Sequence, residues 1–156
     1  MSANPEGFIV ASHEGPIWDM EVGRPAIFKL LSEQTGGKIA VFEEIVPPDM
    51  GTPLHIHHTA DEVIYISSGE FIVRLGETTR TASEGSWIFI PLGSVHGWRN
   101  SGPKDGRVFF IFTPGAGAVA FEEMRHQGLP LPDIDPKVSA EIFERNGYEF
   151  ITWEWH

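Results

Sequence analysis

The chain has 156 residues, 41% of them hydrophobic, with no cysteine and a formal net charge of −11 at pH 7. That length suits one domain whose core holds without cross-links, and the missing cysteines exclude a disulfide framework, a thiolate metal site and a cysteine nucleophile. The charge argues against nucleic acid and anionic membranes, whose recognition needs clustered Lys and Arg; its plain reading is solubility.

No apolar run approaches the ~18 residues of a membrane helix. The opening MSANPEGFIV has no basic start followed by an apolar stretch, so no signal peptide is expected. A cytoplasmic protein is the expectation that follows.

Taken in chain order, the sequence reads as β from Gly7 to about Thr113. Short apolar or alternating runs recur between turn residues at the spacing of sandwiches and barrels. Strands are predicted over Phe8–Ser12, Ala26–Leu31, Lys38–Val46, Thr52–His57, Glu62–Ser67, Glu70–Leu75, Ser86–Ile90, His96–Asn100 and Val108–Thr113. Gly36-Gly37, Ser68-Gly69 and Gly76-Glu77 supply turns. Pro91-Leu92-Gly93 suits a type I turn with Pro second and Gly fourth. The tail changes character. Gly117–Gln127 and Lys137–Arg145 have helical spacing, a proline-rich crossing (Pro130, Pro132, Pro136) separates them, and Gly147 stops the second. Residues 1–156 are therefore expected to form one all-β domain, with a barrel core at about 26–113 and a short C-terminal helical appendage at about 117–147.

The chemistry concentrates in two stretches. In Leu54-His55-Ile56-His57-His58-Thr59-Ala60-Asp61-Glu62, strand alternation turns His55 and His57 to the same face. Glu62 lies five residues after His57, room for a bend that returns a carboxylate to the same ion. Two His and a carboxylate with open positions is the facial arrangement of non-haem iron and related sites. In the second stretch, a turn at Pro91–Gly93 brings back a strand that opens on His96, and His96, Trp98 and Asn100 share a face. His96 can then be a fourth ligand. The donor set leaves the divalent metal open among Fe, Mn, Ni, Co, Cu and Zn. His58 has the wrong parity and reads as solvent-facing, and Asp61 as a loop cap.

These stretches resemble the paired motifs of the cupin superfamily. The first motif, G-x5-H-x-H-x3–4-E-x6-G, is met by His55, His57, Glu62 and Gly69, although Asp49 stands where its leading Gly is expected and Gly51 lies four residues before His55. The second, G-x5-P-x-G-x2-H-x3-N, is matched by Gly85, Pro91, Gly93, His96 and Asn100. The resemblance implies a jelly-roll β-barrel, a metal held by His55, His57, Glu62 and His96, and a homodimer. Thr35-Gly36-Gly37-Lys38, Pro53–His58 and Asp61–Tyr65 are similar to single-domain quercetin-dioxygenase-like cupins. Relatives with this His-x-His-x4-Glu spacing include flavonol 2,4-dioxygenases, which implies that Glu62 is also the base on a substrate hydroxyl.

Ordinary core packing is the plain reading of Trp18, Trp87, Phe89, Trp98, Phe110 and Phe112. As substrate-pocket residues we single out Trp98, which shares the face of His96, together with Phe89 and Phe42. Arg74 and Arg99 read as solvated, and His13, His126 and His156 have no evident partner. Gly115-x-Gly117-x-x-Ala120 imitates a dinucleotide fingerprint, but no parallel strand follows it. The function expected is a dioxygenase acting on a phenolic or enolic small molecule. The alternatives are a metal-dependent isomerase, lyase or hydrolase for sugars or small keto acids, and a non-enzymatic binding module.

Overall fold

The structure, a computed structural model, describes residues 6–155. His156 and the first five residues of the chain lie outside that range. Among the described residues, eleven strands form two antiparallel sheets. The six-stranded sheet runs β1 (Ile17–Glu21), β2 (Arg24–Leu30), β3 (Ala40–Val46), β10 (Gly106–Thr113), β5 (Asp61–Ser68) and β8 (Trp87–Ile90). The five-stranded sheet runs β11 (Tyr148–Thr152), β4 (Leu54–His57), β9 (His96–Asn100), β6 (Glu70–Leu75) and β7 (Thr78–Ser83). This is the jelly-roll architecture.

Period-two alternation builds the core between the sheets. On β5 the inward residues are Glu62, Ile64 and Ile66, and on β10 they are Val108, Phe110 and Phe112. Phe42 on β3 is the centre of an aromatic cluster, its ring 5.0–5.9 Å from those of Phe28, Phe110, Phe112 and Phe121.

Several expectations need correction. Phe8–Ser12 forms no strand; Ile9 is 92% exposed, and that segment passes outside the sheets. Strands β1, β7 and β11 were not foreseen. β7 (TTRTAS) buries only Ala82, so it carries no apolar alternation to read. The tail helices are α1 (Val119–Arg125) and α2 (Pro136–Arg145), and the tail does not end there. After Gly147 the chain returns as β11 and pairs with β4 in the barrel sheet, placing Tyr148 opposite His57 and Phe150 opposite His55. Both sheets are antiparallel throughout, so the Gly115–Ala120 segment has no βαβ context. Gly117 is instead required by packing, because a Cβ there would sit 2.6 Å from both Ala60 and Phe112.

The turn before β9 also differs. Ser94 N donates to Pro91 O at 3.1 Å, and Gly93 has φ +85°. Pro91 is thus the first residue and Gly93 the third, as in a type II turn. At the entrance to β4, Asp49 adopts φ +67°. It occupies with a side chain the left-handed conformation that glycine would take in the first motif. A short polar side chain tolerates that region best among non-glycine residues, and its carboxylate accepts from Arg99 Nη1 at 3.1 Å. We expect Asp49→Ala to cost about 1 kcal/mol and Asp49→Gly to cost less, as measured by urea unfolding. Equal losses would show that the ion pair, not the backbone, decides this position.

Candidate metal centre

Four buried polar side chains meet between the sheets. His55 and His57 come from β4 and His96 from β9, in the five-stranded sheet, where His55 and His96 are cross-strand partners. Glu62 reaches in from β5 in the opposite sheet. None of the four is more than 6% exposed. One ring nitrogen from each histidine lies within 4.8 Å of the others, so His55, His57 and His96 together can hold a metal ion. Oε2 of Glu62 is 3.2 Å from His57 Nε2 and 3.1 Å from His96 Nε2.

The hydrogen bonds around the rings decide what the centre requires. His55 Nδ1 is 2.8 Å from Pro53 O, and His96 Nδ1 is 3.0 Å from Ser94 O. Carbonyl oxygens only accept, so each Nδ1 carries the proton and donates. In the neutral rings Nε2 then presents a lone pair toward the centre, the tautomer that metal-ligating histidines adopt. His96 Nε2 lies 3.1 Å from the Glu62 carboxylate, and His55 Nε2 lies 3.2 Å from His57 Nε2, so a metal ion or a shared proton has to stand between them. Such convergence of lone pairs calls for a cation. Three imidazoles and a carboxylate suit a borderline divalent transition metal.

Protonation is shaped by the same enclosure. Burial, together with the nearby His96 and His57, lowers the His55 pKa to about 3. Burial opposes the charge on Glu62, but His57 and His96 outweigh it and hold the carboxyl well below the usual range. The centre thus keeps a neutral ligand at His55 and an anionic one at Glu62 under ordinary conditions.

Two hydrogen bonds from backbone N–H groups of the second motif reach the first. Gly93 N donates to His57 O at 2.9 Å, and Leu92 N donates to Asp61 Oδ1 at 2.8 Å. Asp61 thus caps the turn that delivers His96. His58 faces away and contacts Glu149 at 2.7 Å on the surface. Asn100, fully buried, donates to Val46 O and Lys104 O and accepts from Gly102 N, so it fastens the end of β9. His13 is exposed, and His126 sits after α1 beside Arg125.

A cavity of about 500 Å³ opens against His55. Its walls include Phe121, Phe143, Tyr148 and Phe150 from the tail, with Arg24 and Glu21 on the opposite sheet. None of the three sequence-derived pocket residues lines it. Phe89 is 60% exposed on the outer face of β8. Trp98 is buried, but it packs on Phe71 and Phe110. Phe42 stands behind Phe121 in the core cluster. Strand parity gives the face of a residue, not its position along the barrel axis. Phe121 and Phe143 lie in the two segments with helical spacing, which does not tell what either ring faces. The alternation of Tyr148 and Phe150 after Gly147 was the available signal for β11.

Residues 42–112 match the family described as the Cupin domain. The segment that carries both motifs is a cupin domain. A relative from Methanocaldococcus jannaschii, uncharacterized protein MJ1618, is 33% identical over 82 residues, or 53% of this cupin and 61% of the relative. The chain thus spans about three fifths of the length of that curated relative. Among solved structures, KdgF from Halomonas sp. superposes with a TM-score of 0.62 at 22% identity, covering 69% of this chain and 94% of KdgF. The polyketide cyclase RemF from Streptomyces resistomycificus superposes with a TM-score of 0.58 at 19% identity, covering 69% and 79%. At these identities the likeness is one of fold. No helix among the described residues is long and apolar enough to cross a membrane.

Two measurements check the centre. His55→Ala and His96→Ala should each sharply lower the metal content of protein purified without chelator or His-tag, read by elemental analysis; full occupancy in both would displace the assignment. The metal-free protein should also lose stability in acid. His55 is neutral in the fold down to about pH 3 but takes up a proton near pH 6.5 when unfolded, so the unfolded state binds more protons between those values. Stability then falls as pH drops through that window, and protonation of Glu62 adds to the loss below its unfolded pKa, about 4.3. His55→Gln should flatten the upper part of the slope in urea unfolding, and an unchanged slope would reject His55 as the cause.

Proposed function

We propose that this cupin is a metal-dependent oxygenase of the dioxygenase type acting on a flat phenolic or enolic molecule, with Glu62 as both fourth ligand and base. The reading rests on an aromatic-walled cavity of about 500 Å³ that has His55 in its lining. A divalent transition metal held by His55, His57, His96 and Glu62 would supply a Lewis-acidic centre with open positions for a substrate oxygen.

The protein's own groups supply the rest. Tyr148, Phe150, Phe143 and Phe121 offer flat apolar contact and keep water away from the reacting end. The Tyr148 hydroxyl donates to Gly117 O at 2.6 Å, which fixes the ring edge-on to His57 with centroids 4.4 Å apart. Burial and the charge of Glu62 hold the Tyr148 phenol well above its usual pKa, so it serves as a wall and not as a base. Glu62, anionic and next to His57 and His96, is the carboxylate that would accept the proton of a substrate hydroxyl brought to the histidines, a hydroxyl whose acidity a bound metal would raise enough for so weak a base.

A second reading draws support from the fold neighbour RemF, a polyketide cyclase. In that case the same centre would polarise a similar substrate without O₂.

The test is anaerobic titration of metal-loaded protein with flavonols, followed by aeration. A shift in flavonol absorbance on binding and O₂ uptake after aeration are expected. Turnover without O₂ would favour the cyclase-like reading, and no turnover with any polyphenol across Fe, Mn, Ni, Co and Cu would overturn the proposal. Glu62→Gln should keep the three imidazoles and bind metal while losing turnover by about 100-fold or more.

A further inference from the structure

We propose that Arg24 forms a second polar subsite in the same cavity, which binds an uncharged oxygen acceptor such as a carbonyl, ether or phenol at the far end of the substrate. The inference rests on the reading of the cavity as the substrate site.

Arg24 opens β2 with its side chain turned inward, and it is 4% exposed. Its guanidinium is held on three sides. Nε donates to Glu44 Oε1 at 2.6 Å, and Nη1 donates to Glu21 Oε1 and to Gly51 O, both at 2.9 Å. The Trp98 ring lies beneath, 5.2 Å from Cζ. These contacts use three of the five N–H donors of the group. The two on Nη2 find no acceptor among the described residues, although Arg24 is part of the cavity wall. A buried guanidinium with two free donors and a fixed plane is an oriented hydrogen-bonding surface.

The spacing suits the far end of a ligand. Gly51, whose carbonyl holds Arg24, lies opposite Arg99, and His55 lies opposite His96. Three residues along β9 separate those pairs, about 10 Å of strand. That is the span of two linked aromatic rings, one end at the histidines and the other at Arg24.

Charge selects the class of group. With Glu21 and Glu44 both ionised, the cluster carries −1; with Glu44 protonated, it carries zero. Neither state has positive charge left over for an anion, so a carboxylate or phosphate would meet no net attraction. Gly51 is fixed too, because a Cβ there would fall 2.0 Å from Trp98 O.

The experiment is an anaerobic absorbance titration of cobalt-loaded full-length protein with three kinds of probe. These are 3-hydroxyflavone, the same flavonol with one added hydroxyl at the 4′ or 7 position, and its 4′-carboxylate. Wild type should bind at least one hydroxylated probe about tenfold more tightly than 3-hydroxyflavone, the scale of one charge-assisted hydrogen bond, and the carboxylate no more tightly. Arg24→Lys keeps the charge but loses the fork, so the ratio of the hydroxylated to the plain probe should fall to near one. Glu21→Gln, at a half-buried position that leaves the Arg24–Glu44 pair intact, should shift the preference toward the carboxylate; it carries the test if Arg24→Lys does not fold. Binding of the probes with no hydroxyl preference in wild type, a preference that survives Arg24→Lys, or a carboxylate preference untouched by Glu21→Gln would overturn the subsite alone. No absorbance shift with any probe would overturn the substrate reading and the subsite with it.

Discussion

The constraint on which this protein depends is the meeting of a carboxylate from one sheet with three imidazole nitrogens from the other. Glu62 is on β5, while His55, His57 and His96 are on β4 and β9. Without a cation, the acceptors oppose one another across about 3 Å in a region with little water to screen them. With one, the same groups become a cross-link between the sheets at the middle of the barrel. The hydrogen bonds around the rings matter as much as the rings themselves. Pro53 O and Ser94 O fix two tautomers, and the links from Leu92 and Gly93 to Asp61 and His57 fix the distance between motifs. Two segments more than thirty residues apart thereby behave as one rigid corner.

The barrel alone positions the three histidines and Glu62, and the tail walls the cavity beside His55. Helices α1 and α2 and strand β11 contribute most of the aromatic wall. β11 pairs with β4, the strand carrying two of the histidines, so the wall is built in register with the ligands. Phe150 lies directly across from His55 and Tyr148 across from His57. The cavity wall and two of the histidines thus share one strand pair, so changes in β11 reach both.

What could be read in the sequence follows from the range of the physics involved. The ligands were legible because alternation over three residues turns His55 and His57 to one face, and a short turn before His96 needs particular residues. β7 was invisible because its exposed polar face carries no pattern. β11 was missed because Gly147 was read only as the stop of the second helix and not as a turn into another strand. The pocket residues were misplaced for a different reason. Parity assigns Trp98 to the interior, where it lies, but whether an inward residue faces core or cavity depends on what the tail covers some fifty residues later. Asp49 is an instructive intermediate. The departure from glycine was visible, yet only the backbone shows that the left-handed conformation was kept.

The polar interruptions of the inner faces bear on function. Buried ion pairs seldom improve stability over apolar packing of the same shape, because desolvation offsets the attraction. Arg24 and Glu44 nevertheless occupy inward positions on β2 and β3, where the neighbouring inward residues are Ala26, Phe28, Phe42 and Val46. A strand optimised only for the core would continue the apolar series there. Asn100 is explained by the three bonds that hold the end of β9, and the histidines and Glu62 by their convergence. Arg24 is the inward cation whose donors are only partly used, and it stands in the wall of the cavity. The desolvation cost of burying it is therefore best understood as the cost of orienting a guanidinium toward whatever the cavity receives.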